Sequence, residues 1–179
     1  MMAKVYVART LPVNPPDAPF ILTRATLWAA LQRKIRRAPE FVPSITKCTV
    51  LKDEGDFVVR DAVMIDYDGK PQTMHEEVTS VGQQWIHFRQ PNGSITTNLI
   101  SNGPENTDKD MSLTYIFEWV PPEGGEGDEL KEKALRFLNE VNKMPPILPS
   151  LVPSLIICRA LLWRLGNPSV PRESCSPRV

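Results

Sequence analysis

The feature that most constrains the fold is a succession of six strand-like segments, in which polar and apolar residues alternate and short turn sequences intervene. The first four turns contain Gly55, Gly69, Gly82 and Gly93. Glycine readily adopts the positive φ angles that tight hairpin turns require. Since short turns join antiparallel neighbours, the pattern predicts an antiparallel meander. The predicted strands cover residues 45–52, 57–66, 72–80, 84–90, 94–101 and 112–120.

One further strand and one helix precede the meander. Residues 4–13 alternate with period two, as a strand does. Residues 23–37 carry apolar side chains at helical spacing, with Thr23 as a suitable N-cap and Pro39 just beyond the last turn. A short helical turn around residues 40–42 is predicted to lead into the meander.

A second helix is predicted after the strands. Asp128 is a suitable N-cap, and apolar residues recur at helical spacing over residues 128–143 until Pro145 and Pro146 end the segment. The apolar stripe of such a helix must be covered by the sheet. The element order has no βαβ repeat and therefore predicts an α+β fold in which the sheet wraps around this helix. The stripe consists of Leu130, Ala134, Phe137, Leu138 and Val141.

Charge and cysteine content argue against several classes of partner. The 21 Lys and Arg residues balance 21 Asp and Glu residues, so no net charge favours nucleic acid or an anionic membrane surface. The three cysteines are far apart, with no CxxC spacing and no nearby histidine. They predict neither a disulfide framework nor a metal site. We therefore expect no metal, no cofactor and no nucleic-acid partner.

The length and the distribution of prolines predict one domain followed by a tail. A chain of 179 residues is long enough for one hydrophobic core. Residues 145–179 are rich in proline, and their apolar stretch is too short and too charged to span a bilayer. We expect a domain over residues 1–144 and a poorly ordered tail over residues 145–179. The N-terminus lacks the apolar core of a secretory signal, which predicts a cytoplasmic protein.

Several short sequences, spread over about residues 4–144, together carry a resemblance to a known family. They are VARTLPVN at 7–14, LTR at 22–24, LW at 27–28, LQRKIR at 31–36, EFVP at 40–43, the segment 98–103 and LTYIFEW at 113–119. As a set they resemble the fungal AtaL-like branch of the Bet v1-like, START-like (SRPBCC) superfamily. The resemblance implies a helix-grip fold, with a curved antiparallel sheet of about seven strands wrapped on a C-terminal helix and short helices after the first strand. In the family that helix is longer than the predicted helix here.

The resemblance also implies a function. It implies a cavity between sheet and C-terminal helix that binds a hydrophobic small molecule, a fungal secondary metabolite or biosynthetic intermediate. The alternative is a cofactor-free enzyme, such as a cyclase, isomerase or dehydratase, that acts on such a metabolite in a biosynthetic gene cluster. Convergence of His87 or Glu77 with Tyr115 would favour the enzyme, whereas a purely apolar lining would favour the binding protein. The oligomeric state is left open.

The last predicted strand offers the first candidates for ligand binding. Leu113, Tyr115 and Phe117 share one face with Trp119 by period two, so we expect this aromatic face to point inward. Tyr115 is the candidate for orienting a ligand through its phenol. The alternative is that these side chains only fill the core.

Other candidates lie elsewhere in the chain. His87 shares a face with Trp85, and alternation turns that face outward, although a face carrying both could equally line an open cavity. Arg60 lies mid-strand, where its charge needs a polar ligand group or a glutamate on the neighbouring strand. Phe137 belongs to the stripe of the predicted C-terminal helix. The basic run at residues 33–37 is expected on the solvent-facing side of the first helix.

Overall fold

The computed structural model describes residues 4–16, 18, 20–65, 69–120 and 132. Seven strands, one α-helix and two 3₁₀ helices lie within the described ranges. The strands are β1 (Val5–Pro12), β2 (Ile45–Asp53), β3 (Phe57–Ile65), β4 (Pro71–Val81), β5 (Trp85–Arg89), β6 (Ile95–Ser101) and β7 (Ser112–Trp119). The α-helix is α1 (Arg24–Arg36), and the 3₁₀ helices are Ala38–Glu40 and Asp108–Asp110.

The strands form one antiparallel sheet in the order β1-β7-β6-β5-β4-β3-β2. Strands β2 to β7 each pair with their successor, and β1 returns to pair with β7. The predicted seven-stranded antiparallel sheet with a helix after its first strand is thereby confirmed. The predicted helix over residues 128–143 and the tail over residues 145–179 lie outside the described residues, apart from Glu132, whose backbone is helical.

Helix α1 begins and packs as its sequence pattern predicts. The Thr23 side chain accepts a hydrogen bond from the backbone N–H of Thr26 at 3.2 Å, which satisfies one of the unpaired donors at the start of the helix. Leu27, Leu31 and Ile35 are buried along one stripe. They pack against one face of the sheet, which we call the inner face.

The inner face supplies most of the hydrophobic core. Cross-strand pairing puts Val58 of β3 beside Val78 of β4, and Val78 beside Phe88 of β5. Ile100 of β6 likewise lies beside Leu113 of β7. Each such side chain, fully buried, contributes about 1.5–3 kcal/mol to folding. The packing of α1 onto these strands therefore determines which face of the sheet is enclosed.

Asn14 ties the loop after β1 to the loop before β7. Its Nδ2 donates to the carbonyl oxygens of Leu22 at 3.0 Å and Asp108 at 2.5 Å, and its Oδ1 accepts from the Leu22 N–H at 2.8 Å. The Asp108 carboxylate in turn accepts a hydrogen bond from the backbone N–H of Arg24 at 3.1 Å. The start of α1 is thereby held against this end of the sheet.

Candidate functional site

A row of polar side chains on the inner face crosses the three strands at the β1 edge of the sheet, β1, β7 and β6. Arg9 of β1 pairs with Tyr115 of β7, and Tyr115 pairs with Asn98 of β6. Directly paired residues project from the same face of a sheet, so the three side chains lie side by side. Neighbouring strands are separated by about 4.8 Å, which places the Arg9 and Asn98 backbones about 10 Å apart.

Two members of this row carry buried polar atoms with no hydrogen-bond partner. Asn98 is 1% exposed, and neither its Nδ2 nor its Oδ1 is hydrogen-bonded. The Nη1 atom of Arg9 is also buried and unpaired. A buried polar group left unsatisfied costs about 1–3 kcal/mol, and most buried groups in native proteins are satisfied. These three atoms therefore do not serve the stability of the fold.

Lys34 of α1 reaches over the same row. Its Nζ lies 5.1 Å from the centre of the Tyr115 ring, a distance typical of a cation–π contact. Burial, reinforced by the positive charge of Arg60 and opposed by the carboxylate of Glu76, lowers the pKa of Lys34 to about 8. Burial also raises the pKa of the Tyr115 phenol to about 12. The lysine amine thus lies over the ring of a neutral phenol on β7.

Arg60 of β3 and Glu76 of β4 form a buried ion pair on another part of the inner face. The Arg60 Nε donates to Glu76 Oε2 at 2.8 Å, and the two side chains are 4% and 6% exposed. Arg60 Nη1 donates to the carbonyl oxygen of Ile35 at 2.6 Å, where the last carbonyls of α1 lack helical partners. The guanidinium carbon also lies 4.9 Å from the centre of the Phe88 ring. The predicted pairing of Arg60 with a glutamate on the neighbouring strand is confirmed.

The candidates on β7 lie on the inner face. Leu113 is fully buried in the core cluster, and Tyr115 is half-buried against it. Phe117 follows on the same face, with its ring 5.7 Å from that of Trp119 in a tilted arrangement. The structure therefore brings Leu113, Tyr115, Phe117 and Arg60 to one side of the sheet.

Trp85 and His87 lie on the opposite, outer face. Ile86 and Phe88 of β5 are buried in the core, on the side of the sheet that α1 covers. Because side chains alternate along a strand, the odd-numbered residues of β5 project from the other side. His87 Nδ1 lies 2.9 Å from the Thr97 hydroxyl, and burial together with the charge of Arg89 lowers its pKa. The structure does not bring these two candidates together with Tyr115.

Glu77 also projects from the outer face, where it pairs with Arg89 across β4 and β5. Neither His87 nor Glu77 converges with Tyr115, so the acid–base pair that would have favoured an enzyme is not formed by these residues. Phe137 lies outside the described residues.

The residues missed by sequence reasoning left recognisable signals. Lys34 was expected to face solvent, and this is wrong, because Lys34 follows Leu27 by seven residues and two helical turns return it to the buried stripe. Arg9 lies between Val7 and Leu11 on the same face of β1. Asn98 gave a weaker signal, as a polar residue two positions before the buried Ile100.

Two further observations concern metals and membranes. No group of three or more His, Cys, Asp or Glu side chains that could hold a metal ion occurs among the described residues. Within the same part of the chain, no helix has the length and apolar character that crossing a membrane requires.

Comparison with solved structures places the fold in the START-like, Bet v1-like class. A START superfamily protein from Mycobacterium smegmatis matches with a TM-score of 0.61 at 14% identity, over 84% of this chain and 98% of that chain. The ZhuI aromatase/cyclase from Streptomyces sp. R1128 matches with a TM-score of 0.55 at 13% identity, over 93% and 98% of the two chains. At such identities the likeness shows the fold alone.

The di-domain ARO/CYC protein StfQ, from the steffimycin biosynthetic pathway, matches with a TM-score of 0.61 at 14% identity over 82% of this chain. Only 49% of StfQ is covered, so the chain spans about half the length of that protein. A search of curated proteins found no match.

The family is shown by sequence. The chain belongs to the AtaL family, described as acetylaranotin biosynthesis cluster protein L, whose model matches residues 7–145. The resemblance to the AtaL-like family inferred from the short sequences is thereby confirmed.

Proposed function

We propose that the protein binds a hydrophobic small molecule, a secondary metabolite or biosynthetic intermediate of fungal type, between the inner face and the predicted helix over residues 128–143. The observation that carries the proposal is Asn98, an amide of β6 that is buried on the inner face without a hydrogen-bond partner. Ligand sites combine apolar walls with a few placed polar groups that fix orientation. The inner face has this composition.

The walls and the polar groups have separate roles in this proposal. Leu113, Tyr115 and Phe117 supply flat apolar surface, which favours binding through removal of ligand surface from water. Arg9 and Asn98, on either side of Tyr115, supply donors and an acceptor. Arg60 has a structural role in this proposal. Its donors bind Glu76 and the carbonyl oxygen of Ile35, so that it holds the end of α1 against the sheet.

The relatives support a small molecule as the ligand. The family description names a biosynthesis cluster, and three of the matched structures are named as aromatase/cyclase or ARO/CYC proteins. We assign the activity to a cytoplasmic domain over residues 1–144, with residues 145–179 outside it.

The second candidate is a cofactor-free enzyme acting on the same molecule, such as a cyclase, isomerase or dehydratase. One observation favours it, namely the position of Lys34 above Tyr115. An amine whose pKa is about 8 can take a proton from a substrate near neutral pH, and the phenol can donate a hydrogen bond to a developing oxyanion. Lys34 would be the base in this mechanism, in place of His87 or Glu77.

Native mass spectrometry of protein purified from its own host tests the proposal. We expect a co-purifying molecule of small mass that is released on denaturation. The test variant is Asn98→Val, which removes the buried donor and acceptor. We expect it to co-purify with much less of that molecule than wild-type protein does. Wild-type protein that carries no ligand from a producing culture would argue against the proposed function. Incubation with the identified molecule then separates the two candidates, because an enzyme changes its mass or absorbance spectrum and a binding protein does not.

A further inference from the structure

We infer that Arg9, Asn98 and Lys34 form a subsite for an anionic oxygen of the ligand, a carboxylate that carries an O–H or N–H donor beside it. This inference rests on the proposed function and names the chemical class of one end of the ligand. The three side chains surround Tyr115 from β1, β6 and α1.

The first argument is charge. Lys34, Arg60 and Arg9 are cations on or above the inner face, and the described strands contribute two acidic side chains to that face, Glu76 and Asp53. Glu76 is bound by Arg60 at 2.6 Å, and Asp53 is bound by Arg36 of α1 at 2.7 Å. Arg9 and Lys34 therefore form no ion pair with an acidic side chain among the described residues, and Glu76 acts on Lys34 only as a more distant charge. Two positive charges without an ion-pair partner in a partly desolvated place attract an anion more strongly than they would in water.

The second argument is hydrogen bonding. Arg9 Nη1 and Asn98 Nδ2 are buried donors without acceptors. A carboxylate accepts hydrogen bonds at both of its oxygens and so matches two donors that approach from either side. Asn98 Oδ1 is an acceptor without a donor. A ligand that satisfies all three atoms must therefore present an O–H or N–H group next to the carboxylate.

The third argument is position. Tyr115 lies between Arg9 and Asn98, and its ring is half-buried against the core. An aromatic ring with hydrogen-bond donors on both sides suits a ligand in which a carboxylate is attached to a flat apolar ring system. The ring system would pack on Tyr115, and the carboxylate would face the donors. Arg60 cannot take this role, because its Nη1 and Nε are already donating to Ile35 and Glu76.

The test uses two probes of the same shape, 2-naphthoate and the neutral ketone 2-acetylnaphthalene, titrated by fluorescence at low ionic strength. We expect wild-type protein to bind 2-naphthoate about tenfold more tightly than 2-acetylnaphthalene, as charge-assisted hydrogen bonds are roughly twice as strong as neutral ones. Arg9→Gln should abolish that preference by weakening the binding of 2-naphthoate more than that of 2-acetylnaphthalene. Arg89→Gln is the matched control, because it removes the same charge from the exposed outer face.

Each outcome bears on a different statement. Equal affinity of the two probes for wild-type protein would overturn the carboxylate subsite while leaving the proposed function intact. If neither probe binds, while a ligand co-purifies from the host, the subsite as stated is overturned as well. An equal loss in Arg89→Gln and Arg9→Gln would show a general charge effect and would also overturn it. Lys34→Met provides a second variant, and we expect it to reduce the preference for 2-naphthoate severalfold, with thermal unfolding confirming that each variant folds.

Discussion

Two buried asparagines show how differently the same side chain is used in two regions of the molecule. Asn14 lies in the loop after β1 and makes three hydrogen bonds that hold neighbouring loops together. Asn98 lies in β6, inside the sheet, and makes none. Asn14 therefore stabilises the fold, whereas Asn98 imposes a cost on it. A stability cost that is maintained on the buried inner face is expected of a residue that serves binding.

Two arginines repeat the contrast. Arg60 donates to Glu76 and to the end of α1, and stacks on Phe88. Arg9 has a buried Nη1 atom without a partner. Substitutions at the satisfied pair, Asn14 and Arg60, should lower stability, whereas substitutions at the unsatisfied pair should lower binding.

The largest expected effect is at Arg60. Arg60→Met leaves the Glu76 carboxylate buried without a partner and the end of α1 without its donor, so we expect a loss of about 3–5 kcal/mol in the free energy of unfolding. Urea denaturation followed by circular dichroism measures it. Arg9→Met is the counterpart and should change stability by less than about 1 kcal/mol. Similar losses in both variants would contradict the contrast.

Next in size is Asn14. Asn14→Ala strands the Leu22 N–H and the carbonyl groups of Leu22 and Asp108, so we expect a loss of about 2–3 kcal/mol in the free energy of unfolding. The same denaturation experiment on Asn98→Val should show no loss, because no partner is stranded and an unsatisfied polar group is removed. Destabilisation of Asn98→Val to the level of Asn14→Ala would show that Asn98 has a structural role.

A smaller effect concerns pH. The pKa of Lys34 is lowered from 10.5 to about 8, so between these values the unfolded chain binds more protons than the folded one. Stability should therefore rise with pH across this window, and the cost of the buried ammonium is present in full below pH 8. Tyr115 acts oppositely above pH 10, since its pKa is raised to about 12. The effect of Lys34 on stability is therefore best measured between about pH 7.5 and 9.5, below the pH at which Tyr115 contributes.

The measurement compares wild-type protein with Lys34→Met by thermal unfolding across that range. The stability of wild-type protein relative to the variant should increase as the pH rises. Lys47→Met, at an exposed position of β2, is the control and should show a flat difference. A flat difference for Lys34→Met would mean that the ammonium is solvated in the folded protein.

The smallest expected effect is at Tyr115. Tyr115→Phe should weaken binding of 2-naphthoate by about 1 kcal/mol if the hydroxyl makes one neutral hydrogen bond to the ligand. Tyr6→Phe, on the exposed side of β1, is the matched control. Unchanged affinity of Tyr115→Phe would remove the phenol from the site while leaving its ring as a wall.

Much of the fold follows from local pattern. The predicted strand over residues 57–66 is β3 (Phe57–Ile65), and the predicted helix over residues 23–37 is α1 with Thr23 as its cap. These elements are predictable because alternation, helical spacing and turn residues are properties of neighbouring positions.

The candidate site was only partly predictable. Alternation identifies the face on which Tyr115 lies, but it does not reveal that Arg9 lies beside it, since that contact depends on the pairing of β1 with β7. Nor can a pattern distinguish a paired charge from an unpaired one. In the sequence, Arg60 and Arg9 are both charged residues in the middle of a strand. Only the strand register, which places Glu76 beside Arg60, shows that Arg60 is paired with a carboxylate.

The return of β1 to the side of β7 has a consequence for folding. Thr10 and Thr114, whose hydroxyls are 2.8 Å apart, are separated by 104 positions in the chain. Contacts between such distant segments close large loops and form slowly, whereas the hairpins from β2 to β7 are local. Arg9 thus reaches Tyr115 only when β1 pairs with β7. A chain in which β1 has not yet paired with β7 lacks Arg9 in the proposed binding site. Ligand binding therefore indicates that β1 has joined the sheet.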